Sequence, residues 1–179
     1  EGNLLLFGLP GSGTTTALAT LAVSLARGND ADRLHMYLLD FDDQLLAPLR
    51  ALPHVGAVIG ADDRERQLRL LRRLAAELQE RRQVMAANPA GLDTHPNVVT
   101  MLDNYGGFAA AFDEPGHVAW RDLLIRLIAD GPGVGMFTIV STKKPGDIPT
   151  RVGSLVAAKL VFLAKGIRPR TWLEKEQAR

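Results

Sequence analysis

The chain predicts an α/β fold, a mostly parallel sheet with helices on both faces. Three observations carry that expectation. Apolar runs of strand length recur at Asn3–Phe7, Leu34–Leu39, Val98–Leu102, Phe137–Val140 and Lys159–Leu163, each closed by a turn or a polar residue. Segments with apolar residues at helical spacing lie between them. With 179 residues and 46% hydrophobic content, the chain is long enough for one domain with a substantial core. Residues 1–165 are read as that domain and 166–179 as a polar tail carrying Trp172.

The first strand begins almost at the start of the chain, which suggests a fragment of a longer polypeptide. It runs into Gly8-Leu9-Pro10-Gly11-Ser12-Gly13-Thr14-Thr15, which follows the phosphate-loop spacing G-x-x-x-x-G-K-S/T at every fixed position except the lysine, where Thr14 stands. A strand before the loop and a helix after it, Thr15–Arg27 with Leu18, Leu21, Ala22 and Leu25 on one face, supply the required context. Such glycines let successive backbone amides point inward at an anion, and the helix N-terminus adds partial positive charge. Gly8, Pro10, Gly11, Ser12, Gly13, Thr14, Thr15 and Thr16 are therefore the candidate nucleotide-binding residues, with the Thr15 hydroxyl placed to ligate Mg²⁺. The missing lysine removes on the order of 4 kcal/mol of Coulomb energy at 4 Å and intermediate dielectric. That loss falls harder on a transition state that gains negative charge than on ground-state binding.

The second strand ends at Asp40, a further candidate on the metal side, whereas Asp42 and Asp43 read as solvated. Leu52–Gly56 reads as a turn ordered by His54. The helix Arg64–Ala87 follows, with Leu68, Leu71, Leu74, Ala75 and Leu78 on its apolar face. Its seven arginines suggest nucleic acid, but Asp62–Arg66, Glu65–Arg69, Arg73–Glu77 and Glu77–Arg81 are spaced i,i+4. A self-neutralising helix, solvated or facing another subunit, is expected instead.

Asn88–Asn97 is a loop by composition. Val98–Leu102 then delivers Asp103 at its carboxyl end, where a phosphate loop needs an acid for the metal. The next residue, commonly an acid that polarises water in hydrolysing ATPases, is Asn104, and an amide cannot take up a proton. Val118–Ala129 forms a third helix, and Gly131–Gly135 a second loop. After Phe137–Val140, Ser141 and Thr142 stand where a hydroxyl can sense a γ-phosphate. Asn104 and Thr142 are the sensor candidates.

A formal net charge of +1 supplies no bulk drive toward nucleic acid or an anionic membrane. There is no cysteine, so disulfides and thiolate metal sites are excluded, and the four histidines have no ligand spacing. No run approaches the roughly 20 apolar residues that span a bilayer.

The order strand–GLPGSGTTT–helix, LHMYLLD, the segment from LPHVG through the arginine helix, VVTMLDNY, and the glycine-rich loop before FTIVSTKKP resembles the FtsK/SpoIIIE family of RecA-like P-loop NTPases over most of the chain. The stretch Leu45–Arg82 and the altered catalytic motifs resemble a tandem ATPase domain of the EccC/EssC-type motor of type VII secretion. The resemblance implies a cytoplasmic domain of a membrane-anchored protein, with further ATPase domains in the same polypeptide and assembly as a homo-hexamer. It implies ATP and Mg²⁺ at Gly8–Thr15 with Asp103 as metal-side acid and Thr142 near the sensing position. Departures stand beside it. Ser141-Thr142-Lys143-Lys144-Pro145 replaces the A-T-Q-R-P of DNA-moving members, while Pro132 and Lys159 stand where arginines are usual. DNA is not an expected partner; secreted protein substrates are. The expectation is a degenerate domain that holds ATP–Mg²⁺ weakly or structurally, or has lost it, and serves assembly, regulation or substrate capture. The alternatives are an active motor domain in which Lys143 or Lys144 supplies the missing charge, and a nucleotide-free interaction module.

Overall fold

Six strands build one sheet in the computed structural model, which describes residues 2–162 apart from 93, 115 and 157: β1 (Leu4–Gly8), β2 (Leu34–Asp40), β3 (Val55–Gly60), β4 (Asn97–Asp103), β5 (Met136–Thr142) and β6 (Ala158–Phe162). Every strand pairing is parallel and the order is β3-β2-β4-β5-β1-β6. The helices are α1 (Thr14–Gly28), α2 (Arg64–Ala87), α3 (Tyr105–Ala111), α4 (Val118–Asp130) and α5 (Thr150–Leu155).

Successive residues of the central strands enter opposite cores, which is why these strands read as unbroken apolar runs. Leu5, Leu39, Leu102 and Val140 pack with Leu71 and Leu74 of α2, Phe108 of α3 and Leu124 of α4. Their neighbours Leu6, Leu38, Met101 and Ile139 pack with Leu18 and Ala22 of α1 on the other face. The expected helix-covered parallel sheet is thus observed, and the sheet is parallel throughout its described residues.

Two buried polar side chains fix the frame. Asn3 donates to Ile128 O at 2.6 Å and accepts from Thr138 N at 2.8 Å, joining the start of β1 to α4 and β5. Arg81 is 2% exposed. Its guanidinium reaches Glu77 at 2.7 Å, Pro96 O at 2.7 Å and Val134 O at 3.1 Å, pinning the loops that enter β4 and β5 against α2.

Arg81 corrects the expectation of a solvated arginine helix. Its i,i+4 pair with Glu77 forms, but inside the protein. Arg69–Glu65 forms at the surface, whereas Arg66 pairs with Asp63 rather than Asp62. Arg64, Arg72 and Arg73 lie over the rings of Phe112, Trp120 and Tyr37, and Arg82 meets Asp130 of α4. All seven arginines are engaged within the domain.

His54 accords with its reading as a turn-ordering residue, since Nε2 meets Asn29 O at 2.8 Å. Among the described residues, no helix is long and apolar enough to cross a membrane. Leu163 and the tail with Trp172 lie outside the described residues.

Candidate functional site

The carboxyl ends of β2, β4, β5 and β1 lie side by side, the place where open parallel sheets hold ligands. Register sets their levels. Asp40 is the partner of Asp103 across β2–β4, and Phe7 is the partner of Thr142 across β1–β5.

Gly8 closes β1 and the loop turns through two left-handed glycines, Gly11 at φ +77° and Gly13 at φ +96°. Ser12 N donates to Leu9 O at 2.9 Å and closes the turn. A Cβ on Gly8 would stand 2.1 Å from Ser12 Oγ, 2.7 Å from Thr14 Cγ2 and 2.9 Å from Phe162 Cβ, so glycine is obligatory there. Gly13 caps α1 without a side-chain hydrogen bond, and no acid occupies the first turn. The amides of Thr14, Thr15 and Thr16 therefore open toward the loop without intrahelical acceptors. Ser12 Oγ is buried and without a hydrogen-bond partner among the described residues.

Thr15 Oγ1 donates to Asp103 Oδ2 at 2.8 Å, linking the loop to the end of β4. Ser141 Oγ donates to Asp103 Oδ1 and accepts from Asn104 N at 2.8 Å. Asp103 is 1% exposed. Burial pushes its carboxyl above the ordinary range; the hydrogen bonds from Ser141 and Thr15 pull it down, while the charges of Asp40 and Asp42 add to the upward push. A buried carboxylate in that field is a site that a cation would relieve.

Asn104 is in the left-handed region at φ +66°, at the N-cap of α3. Its Nδ2 donates to Phe41 O at 3.0 Å and its Oδ1 accepts from Gly107 N at 3.2 Å. Both ends of the amide are thus committed to the loop after β2 and the first turn of α3. A carboxylate at this position would set an oxygen against the Phe41 carbonyl. Gly107 is confined as well, because a Cβ there would lie 2.9 Å from both Asn104 Nδ2 and Phe41 O.

Asp40 takes a structural place. Its two oxygens accept from Asp42 N and Leu46 N, each at 3.1 Å, and hold the turn after β2. Thr142 Oγ1 donates to Lys144 O at 3.0 Å, which leaves it ordering the next turn. Lys143 reaches back to Asp42, from the end of β5 to the loop after β2, with β4 between the two strands.

The structure therefore brings Gly8, Gly11, Ser12, Gly13, Thr14, Thr15, Asp103 and Asn104 to one rim, while the Pro10 and Thr16 side chains are exposed. Ser141 supports Asp103, and the Lys143–Asp42 pair had no signal in the sequence because it joins positions 101 residues apart. The residues fit a nucleotide with Mg²⁺. The uncapped helix end, the two left-handed glycines and the unpartnered Ser12 hydroxyl suit a polyphosphate, and Thr15 with buried Asp103 is a hard oxygen pair suited to Mg²⁺.

A family model described as the FtsK/SpoIIIE family matches residues 1–106. The ESX secretion system protein EccC of Geobacillus thermodenitrificans is 25% identical over 170 residues, which is 90% of this chain and 11% of that protein. The structure of Thermomonospora curvata EccC (ATPases 2 and 3) in complex with a signal sequence peptide superposes with a TM-score of 0.81 at 28% identity, over 89% of this chain and 30% of that one. The cytoplasmic domain of the T. curvata type VII secretion ATPase EccC gives 0.82 at 28% identity, over 89% of this chain and 20% of that one. The chain thus spans about a tenth of the length of the curated relative.

Proposed function

The chain belongs to the FtsK/SpoIIIE family, and on that premise we propose that it is a degenerate nucleotide-binding domain of an EccC/EssC-type secretion motor, keeping the cradle for ATP–Mg²⁺ but not fast hydrolysis. Bound ATP–Mg²⁺ supplies a polyphosphate whose terminal bond an active site would open to water. The residues here divide that task unevenly. The loop amides and the α1 N-terminus hold anionic oxygens, and Thr15 with Asp103 holds the metal. No charge stands at Thr14, and the residue after Asp103 cannot take a proton from water.

The observation that carries this reading is the double commitment of the Asn104 amide to Phe41 O and Gly107 N. A water-activating residue needs a free acceptor near the γ-phosphate. Asn104 spends its acceptor on α3. Binding without turnover stabilises the domain by mass action and can order its faces against neighbouring domains. We place the domain among several in series in a cytoplasmic, membrane-anchored, hexameric parent, where it serves assembly, regulation or the capture of a secreted protein. The similarity to a chain solved with a signal sequence peptide supports the last of these. The engagement of all seven α2 arginines speaks against DNA as the cargo.

Calorimetry with ATP and Mg²⁺ tests the reading. Saturable binding that is lost in Asp103→Ala, with negligible steady-state hydrolysis, is expected. A chain that takes up no nucleotide would be an interaction module, and one that turns ATP over at several per second would be a motor domain.

A further inference from the structure

Lys143 stands at the end of β5, beside the strand that feeds the loop, and pairs with Asp42. Thr142 ends β5 at the level of Phe7, so Lys143 leaves the sheet one strand away from the point where Gly8 opens the phosphate loop. Strands are about 4.8 Å apart. Asp42 lies on the other side, two strands from β5 with β4 between them. The Lys143–Asp42 pair therefore bridges the chain after β5 and the chain after β2 across the carboxyl end of β4, the strand that ends in Asp103. Lys144, by contrast, is exposed, and its hydrogen bonds to Thr142 Oγ1 and Asp147 N run through its backbone.

From this geometry we infer that Lys143 acts as the polyphosphate-facing lysine of this site, exchanging Asp42 for phosphate oxygens when nucleotide enters beside Thr14. The exchange is an exchange of partners and moves no covalent bond. Lysine suits it, being a point charge on a flexible four-carbon stem. The pair with Asp42 is one-third exposed on the lysine side and 17% exposed on the aspartate side, so solvent already weakens it. A polyphosphate carries several charges where Asp42 carries one. The inference rests on the nucleotide-binding reading and adds to it the residue that compensates for Thr14.

Titrating the 179-residue chain with ATP–Mg²⁺ in three forms tests this. Lys143→Met is expected to weaken binding about tenfold or more, the scale of a lost charge-assisted contact. Asp42→Asn, which frees Lys143, is expected to tighten it about twofold to fivefold. The opposite signs distinguish a phosphate ligand from a strut, because a strut is broken equally from either end. Binding by wild type with Lys143→Met unchanged or tighter, or weakened alike by both substitutions, overturns the inference and leaves the nucleotide reading intact. Wild-type chain that shows no saturable binding overturns both. Should Lys143→Met fail to fold, Asp42→Asn decides: tighter binding supports the exchange, and unchanged or weaker binding refutes it.

Discussion

Thr15 Oγ1 lies 2.8 Å from Asp103 Oδ2, a hydrogen bond across 88 residues that joins the phosphate loop to the end of a strand two places away in the sheet. It sets side by side the two oxygens proposed above to hold Mg²⁺, and Asp103 itself is 1% exposed.

That burial has a pH signature. The folded-state pKa of Asp103 lies above its ordinary 3.8, chiefly through desolvation. The folded chain then binds more protons than the unfolded chain in the window above 3.8, and this contribution to stability is lost as pH rises through the folded value. Asp103→Asn removes the penalty. Its apo Tm is expected to exceed that of wild type at pH 7.5, by a margin that shrinks toward pH 4; thermal scans at the two pH values check this.

Asn104 holds two hydrogen bonds at a left-handed φ of +66°. Asn104→Ala loses both and adds backbone strain, for about 2–4 kcal/mol of destabilisation by urea unfolding. Asn104→Gly, which adopts the same φ without strain, is expected to lose less. Asn104→Asp is expected to be destabilised too, since it cannot donate to Phe41 O, and to gain no hydrolysis.

Arg81 is expected to behave as a structural charge. Arg81→Met strands Glu77 and the carbonyls of Pro96 and Val134, a loss of about 3–5 kcal/mol that denaturant unfolding reads directly. Lysine cannot span all three acceptors in one plane, so Arg81→Lys is expected to recover part of the loss only.

Much of this domain was legible from its residues. The loop was, because glycine spacing is a local property and Gly8, Gly11 and Gly13 each occupy a place that demands one. The buried strands were, because two-sided burial leaves an unbroken apolar run; Arg64–Ala87 matched α2 at both ends. Edge strand β3 was missed since Gly56 and Gly60 punctuate it and Pro53 and His54 precede it. So was α3, whose Tyr105-Gly106-Gly107 start has poor helix formers and relies on the Asn104 cap. The sign of Arg81 was hidden as well: an i,i+4 pair looks the same whether solvent or a loop lies over it. The structural task of Asp40 was not legible, because its oxygens accept from amides two and six residues on, a turn that only the folded chain reveals.

Gly8 marks how tightly the cradle is built. Gly8→Ala would drive a methyl into Ser12, Thr14 and Phe162, and the loop would have to open. The substituted chain is expected to stay folded, because the sheet and both cores are intact, but to lose ATP–Mg²⁺ binding by at least tenfold in calorimetry. Retained affinity would show that the nucleotide does not sit in this loop.

The central claim, a retained cradle with a missing catalytic step, is tested most directly by phosphate release from Thr14→Lys at saturating ATP–Mg²⁺. Restoring the lysine supplies the loop's charge and leaves Asn104 where it is. The expected result is ATP binding about tenfold tighter than wild type, with phosphate release still at the wild-type level. Rapid phosphate release by Thr14→Lys would contradict the account, since the amide at position 104 would then be no barrier to hydrolysis.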